Sequence, residues 1–297
     1  MITIIGKKIR LISLLCSVVG SILLFSACKM AENNDNQQGD TVYTTFYAMY
    51  DFTKEIAGDK VNVVQLVPSG SGPHDFEPTA ADIAKITQAK ALIYCGSVDT
   101  YIEDIRATAE KAGVRTLDTA EGITVQEDVH DPHIWLDPNT AMEQYTAIAK
   151  LLSELNPENE AYYQERLASA QDRINQLQQQ FQAFKASAKV QDIIVSHAAY
   201  GYLCKELGIQ EHSIESGAGE GADPTAKQMA EIINLAKEKN IKIIFAEKNE
   251  SDKTARAVAK EIGGDVLLLD PFEANTDSGG YFEVMQQNIQ ALGTALK

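Results

Sequence analysis

The chain has 297 residues, 44% of them hydrophobic, and its 42 acidic side chains against 26 basic ones leave a formal net charge of −16. That balance argues against a nucleic-acid partner, which selects basic patches, and it supports cation binding only weakly, since many soluble proteins are this acidic. The length allows one large domain or two moderate ones.

Residues 1–27 read as a lipoprotein signal peptide. Lys7, Lys8 and Arg10 form a positive flank, Leu11 to Phe25 an apolar run, and Ser26-Ala27 a small-residue cleavage site. The run is shorter than the roughly 20 residues that span a bilayer. "LFSAC" resembles a bacterial lipobox, which makes Cys28 the lipidation site; Phe25 departs from the aliphatic residue usual in that motif. Ordinary secretion, with Cys28 lost or free, is the alternative. Residues 28–40 are polar and unpatterned, too poor in apolar surface to fold, and read as a tether. Loss of residues 1–27 removes three positive charges and no negative ones, so −16 becomes −19. The expected location is extracytoplasmic, lipid-anchored to the bacterial cell membrane.

From Thr41 the chain alternates. "VYTTF", "VNVVQLV" and "ALIYC" have strand character, while "AADIAKITQA" and "TYIEDIRATAEKAG" are helix-like. After residue 189 the pattern resumes: "VQDIIVS", "IKIIFAE" and "DVLLLDP" are strands among helix-like segments. Such alternation predicts α/β architecture, with each lobe a parallel sheet flanked by helices. Between the halves, Tyr163, Leu167, Ala170, Ile174, Leu177, Phe181 and Phe184 form one apolar stripe. Asn156-Pro157-Glu158 reads as its N-cap and first turn. The stripe predicts one backbone helix joining the lobes, and a coiled-coil dimer is its alternative. The expected divisions are 41–155 for the first lobe, 156–188 for the linking helix and 189–297 for the second lobe. "EPTAADIAKI" and "DPTAKQMAEI" echo each other, as two related lobes would. With Cys16 in the signal and Cys28 at the lipid site, Cys95 and Cys204 remain, and both read as buried thiols.

Five histidines carry the chemistry: His74, His130, His133, His197 and His212. His74 lies in the loop "SGSGPHDFEPT" after a strand, and His197 just past a strand end in "IIVSHAAYG". Ligands in open α/β sheets bind beyond the carboxyl ends of the strands. His130 and His133 share "VHDPHIWLDP" with the chain's one tryptophan, Trp135. Pro132 and Pro138 make this an ordered loop rather than a helix, with Trp135 and Ile134 packed beneath it. Asp137 is placed to accept the second N–H of an imidazole, as metal-bound histidines require. Imidazole suits zinc, copper, iron and nickel rather than calcium or magnesium. Three neutral histidines with a carboxylate or water would complete a tetrahedral zinc site.

"PHDFEPTAADI" (73–83), "DPHIWLDP" (131–138), "SHAAYGYL" (196–203), "IIFAE" (243–247) and "LLLDP" (267–271), in this order, resemble the substrate-binding lipoproteins of zinc and manganese ABC importers, over nearly the whole chain. The resemblance implies extracytoplasmic zinc capture, delivery to an ABC transporter permease in the membrane, and a monomeric protein that is not an enzyme. By the same resemblance His74 and His133 are ligands from the first lobe and His197 from the second. Manganese-preferring members usually carry glutamate at that third position, so histidine points to Zn2+ over Mn2+. Two features depart from the pattern. The interval before His133 holds only His130, so a His-rich capture loop is absent or rudimentary. The family's fourth ligand, an acid just ahead of an aromatic, finds Gly279-Gly280 here, with Asp277 two residues earlier as the candidate. Glu247 is the second candidate, better suited to an outer-shell acceptor, as are Asp137 and His130. The alternatives are a manganese importer component, a secreted zinc metallohydrolase, which lacks any HExxH or G-x-S-x-G here, and a cell-adhesion protein, a role described for some relatives.

Overall fold

The strands read from the alternation form two four-stranded parallel sheets in the computed structural model. The described residues are 41–296 apart from 75, 100, 124–130, 216–223 and 249. The signal peptide, Cys28, the tether and His130 lie outside them. In the first lobe β1 (Thr41–Thr44), β2 (Asn62–Gln65), β3 (Ala91–Tyr94) and β4 (Arg115–Asp118) are ordered β2-β1-β3-β4. In the second, β5 (Asp192–Val195), β6 (Gln210–Ser213), β7 (Ile243–Glu247) and β8 (Asp265–Leu269) are ordered β6-β5-β7-β8. Each lobe thus places its first strand between its second and third, so the internal echo in the sequence has a topological counterpart.

The echo extends to local chemistry. Helix α1 spans Tyr47–Ala57, α2 Ala80–Ile86, α3 Ile102–Lys111 and α4 Pro138–Leu155. Helix α5 spans Glu160–Ser187, α6 Gly201–Leu207, α7 Ala226–Glu238, α8 Lys253–Ile262 and α9 Tyr281–Ala295. The two echoed segments start α2 and α7. Thr79 with Asp82, and Thr225 with Gln228, form reciprocal capping boxes that satisfy the first free N–H groups of each helix.

The joining helix begins later than the sequence predicts. Asn156 makes no cap bond; its side chain is engaged with Lys90 Nζ and the Tyr163 hydroxyl, both at 3.4 Å. Pro157–Asn159 forms a 3₁₀ turn instead, and α5 follows for 28 residues, about 42 Å at 1.5 Å per residue. The apolar stripe is covered by the chain itself, which disfavours the coiled-coil alternative. Six of its seven residues are buried, Leu167 packs at the edge of the core, and α4 and α9 lie along α5.

One hydrophobic core runs between the sheets and holds Phe52, Trp135, Tyr145, Phe181, Phe245, Phe272 and Tyr281. Phe52 stacks on Tyr145 with centroids 4.3 Å apart and meets Tyr281 edge-on at 5.0 Å. Helix α9 packs on α5, β8 and α1, so the C-terminal helix contacts elements of both lobes. Removing one such ring, as in Phe181→Ala, costs about 3–5 kcal/mol of stability. Cys95 and Cys204 are buried free thiols. No helix among the described residues is long and apolar enough to cross a membrane.

Candidate metal centre

Three histidines meet beyond the carboxyl ends of the strands. One ring nitrogen from each of His74, His133 and His197 lies within 4.8 Å of the others. Their ring centroids are 5.3–5.9 Å apart.

The loop after β2 presents His74. It opens with a turn in which Ser71 N–H donates to Pro68 O at 3.1 Å and Gly70 sits at φ 81°. That third position of a type II turn favours glycine because a Cβ would be strained there. His133 lies at the start of the 3₁₀ turn Ile134–Leu136. Ser97 Oγ donates to Pro132 O at 2.7 Å and Trp135 Nε1 to Pro271 O at 2.8 Å, which ties this loop to the end of β3 and to the segment after β8. Trp135 is fully buried and its ring packs 5.3 Å from the His133 ring. His197 follows β5, where Ser196 Oγ accepts from Glu247 N–H at 3.2 Å.

Each ring has a carboxylate partner. Asp131 Oδ1 accepts from His133 N–H at 2.9 Å and lies 2.5 Å from Nδ1. Asp131 Oδ2 accepts from Gly201 N–H, at the start of α6 in the other lobe, at 2.8 Å. Glu247 Oε2 lies 2.9 Å from His197 Nδ1. Glu273 Oε1 lies 2.5 Å from His133 Nε2 and 3.0 Å from His74 Nε2. The Asp131 and Glu247 contacts occupy the Nδ1 atoms of His133 and His197, while Glu273 bridges the Nε2 atoms of His133 and His74. Such outer carboxylates fix the tautomer of a ligating imidazole and raise its basicity.

The charges are strongly linked. Burial alone would lower the His133 pKa, but the Glu273 charge and the bond from Asp131 outweigh it and raise it well above 6.5. Burial would likewise lower His197, and the bond to Glu247 raises it instead. Glu273 is buried, which by itself lifts a carboxyl pKa, yet the His133 charge beside it holds it far below the usual carboxylate range. Metal ligation needs neutral imidazoles and ionised carboxylates, so a dication entering such a cluster competes with protons for the same atoms.

Not every residue singled out from sequence lies here. Asp277 is exposed with φ 56°, and its N–H is held by Asn275 Oδ1. The carboxylate that reaches the histidines is Glu273, four residues earlier, which the sequence reading did not select. Asp137 caps α4, accepting from Asn139 N–H at 2.7 Å, and the imidazole partner is Asp131. The signal for this was present: Asp followed by proline is a helix start, with the acid at the cap and proline in the first turn. His212 pairs with Asp192 at 2.9 Å on the edge strand β6.

A family model described as zinc-uptake complex component A, periplasmic, matches residues 42–295. The high-affinity zinc uptake system protein ZnuA of Bacillus subtilis is 31% identical, over 94% of this chain and 96% of its own. Among solved structures, the laminin-binding protein of Streptococcus agalactiae is described as bifunctional, with adhesin and metal transporting activity. It superposes with a TM-score of 0.80 at 32% identity, over 87% of this chain and 100% of that one. The Zn(II)-bound ZnuA-like domain of Streptococcus pneumoniae AdcA superposes with a TM-score of 0.77 at 30% identity, over 86% and 98% of the two chains.

Proposed function

The chain belongs to the zinc-uptake component A family of substrate-binding transport proteins, and from that premise we propose that it captures one zinc ion outside the cytoplasm and delivers it to an ABC importer permease. The observation that carries this reading is the convergence of His74, His133 and His197 with Glu273. Two of these side chains follow strands of the first sheet and two follow strands of the second. In this reading the three imidazoles and the Glu273 carboxylate bind the ion, while Asp131 and Glu247 orient His133 and His197 from behind. A tetrahedral zinc ion with bonds of ~2.0–2.1 Å wants its ligand atoms roughly 3.3 Å apart. Filling the site then draws the rings inward by up to about 1.5 Å, a small closure across a seam that α5 and α9 stiffen. Three imidazoles and one buried carboxylate favour zinc over manganese, which prefers oxygen ligands.

Residues 1–27 direct export, Cys28 carries the lipid, and residues 28–40 tether a monomeric binding unit to the membrane. Residues 41–155 and 189–297 act as the two metal-binding lobes, joined through 156–188. The test is metal content and competitive zinc titration of residues 29–297, wild type against His197→Ala. One zinc per chain, lost or much weakened in the variant, supports the reading; no zinc, or zinc unaffected by the variant, contradicts it. Delivery is tested separately by deleting the protein, which should abolish growth only where zinc is limiting. A second, adhesive role is suggested by the likeness to the bifunctional streptococcal protein, and retention on a laminin-coated surface tests it.

A further inference from the structure

Glu273 owes its position to residues that never touch the histidines. Beyond Leu269 at the end of β8 the chain enters the segment "DPFEANTDSGG", residues 270–280. A segment so rich in small and polar residues has many conformations open to it, and fixing one glutamate within it requires specific bonds.

Those bonds centre on Asp270, which is 4% exposed. Its Oδ1 accepts from Phe272 N–H at 2.9 Å, closing a tight turn. Its Oδ2 accepts from the hydroxyls of Thr276 at 2.5 Å and Ser278 at 3.1 Å. One carboxylate thus holds the segment on both sides of Glu273. Asp270 is itself fixed, because the buried Asn288 side chain on α9 accepts from its N–H at 3.0 Å and donates to its C=O at 2.8 Å. Phe272, between Asp270 and Glu273, stands at φ 63°. A bulky residue adopts that left-handed conformation only where its surroundings over-determine it. Here the surroundings are the turn bond to Asp270 and an aromatic pocket in which Phe272 meets Tyr47 at 5.0 Å and Tyr281 at 5.7 Å. Tyr47 N–H then donates to Glu273 O at 3.2 Å. Reversing φ at Phe272 would send the next side chain elsewhere.

We infer that Asp270 is the positioning residue that aims the Glu273 carboxylate at His74 and His133 and so sets the affinity of the site. The inference builds on the proposed role of Glu273 as a ligand. It is distinct from a charge effect, because Asp270 acts through the turn and the hydroxyl bonds rather than through its field on the ion.

The test is a double-mutant cycle on residues 29–297, with competitive zinc titration of wild type, Asp270→Ala, Glu273→Ala and the double variant, and the unfolding midpoint of each metal-free protein alongside. Asp270→Ala should weaken zinc by about 10–100-fold, the range for partners that orient a ligand. In the Glu273→Ala background the same change should alter affinity by no more than about twofold, the scatter expected of independent sites. Asp270→Asn keeps the acceptor for Phe272 N–H without the charge, and should retain most of the wild-type affinity. An equal loss in both backgrounds would overturn the inference, and so would an Asn variant as weak as the Ala variant. If Asp270→Ala does not fold, the cycle run with Thr276→Val/Ser278→Ala, which removes both hydroxyl donors, decides between the same outcomes. Wild type that binds no zinc, or Glu273→Ala that binds as wild type does, would instead refute the ligand reading beneath it.

Discussion

Asp131 offers the sharpest single perturbation, because one carboxylate does two separable things. Replacing it with alanine strands His133 N–H and Nδ1–H and frees Gly201 N–H. His133 is fully buried, so water cannot replace the lost partner at either of its donors. Each buried donor left unpaired costs about 1–3 kcal/mol, so the two together cost on the order of 2–6 kcal/mol. A domain has about 5–15 kcal/mol in total, so Asp131→Ala should fold but with a markedly lower midpoint in urea. Losing the group that fixes the imidazole should also weaken zinc by about 10–100-fold. Asp131→Asn separates the two roles. Its carbonyl oxygen still accepts from His133, while its NH2 faces Gly201 N–H, donor against donor. That variant should keep zinc affinity within about threefold and lose about 1–2 kcal/mol of stability. Urea denaturation of the metal-free proteins and titration against a chromophoric chelator measure both quantities. Asp131→Ala that is destabilised yet binds zinc as tightly as wild type would refute the orienting role.

Glu273→Ala should weaken zinc by at least about tenfold, whereas Asp277→Ala, at an exposed side chain, should leave it unchanged; the same titration reads both, and the reverse order would make Asp277 the ligand. The pH dependence follows from the directions of the shifts. The elevated His133 stabilises the metal-free fold fully below the unfolded value of about 6.5, and that contribution fades as pH rises through its folded value. The depressed Glu273 contributes above its unfolded value of about 4.3 and is lost as pH falls toward its folded value. The pair therefore supports the metal-free protein most between those limits, while zinc, which must displace the proton, gains with pH. The zinc-induced rise in Tm should be larger at pH 8 than at pH 6; an equal rise at both would count against imidazole ligands. Burial pushes the Cys95 thiol up to about 12 and raises Cys204 as well, so neither should react with a thiol reagent in native residues 29–297, and both should react in denaturant.

The general architecture was legible because strands such as "ALIY" and "DIIV" are buried along their whole length and read as short apolar runs. The edge strands β4, "RTLD", and β6, "QEHS", contain no fully buried residue and give no such signal. Helices α1 and α4 also went unread, although Asp137-Pro138 marks the start of α4. The three histidines stood out because His74 and His133 sit in loops with strong turn chemistry and His197 lies just past the end of an apolar strand. The choice among carboxylates was harder. Asp131 and Asp137 lie on either side of His133 in one short segment, and Asp277 and Glu273 share one loop. Three-dimensional facts decide between them: Gly201 N–H reaching across the seam to Asp131, and the Asp270 turn with the left-handed Phe272 that carries Glu273 to the cluster. Neither leaves a periodic trace in the sequence.

The most direct test of the central claim is anomalous scattering at the zinc edge from crystals grown with one equivalent of zinc. The account predicts a single peak within about 2.0–2.2 Å of His74, His133 and His197 nitrogens and a Glu273 oxygen. A peak away from this cluster, or one coordinated by Asp277 with Glu273 turned aside, would contradict it.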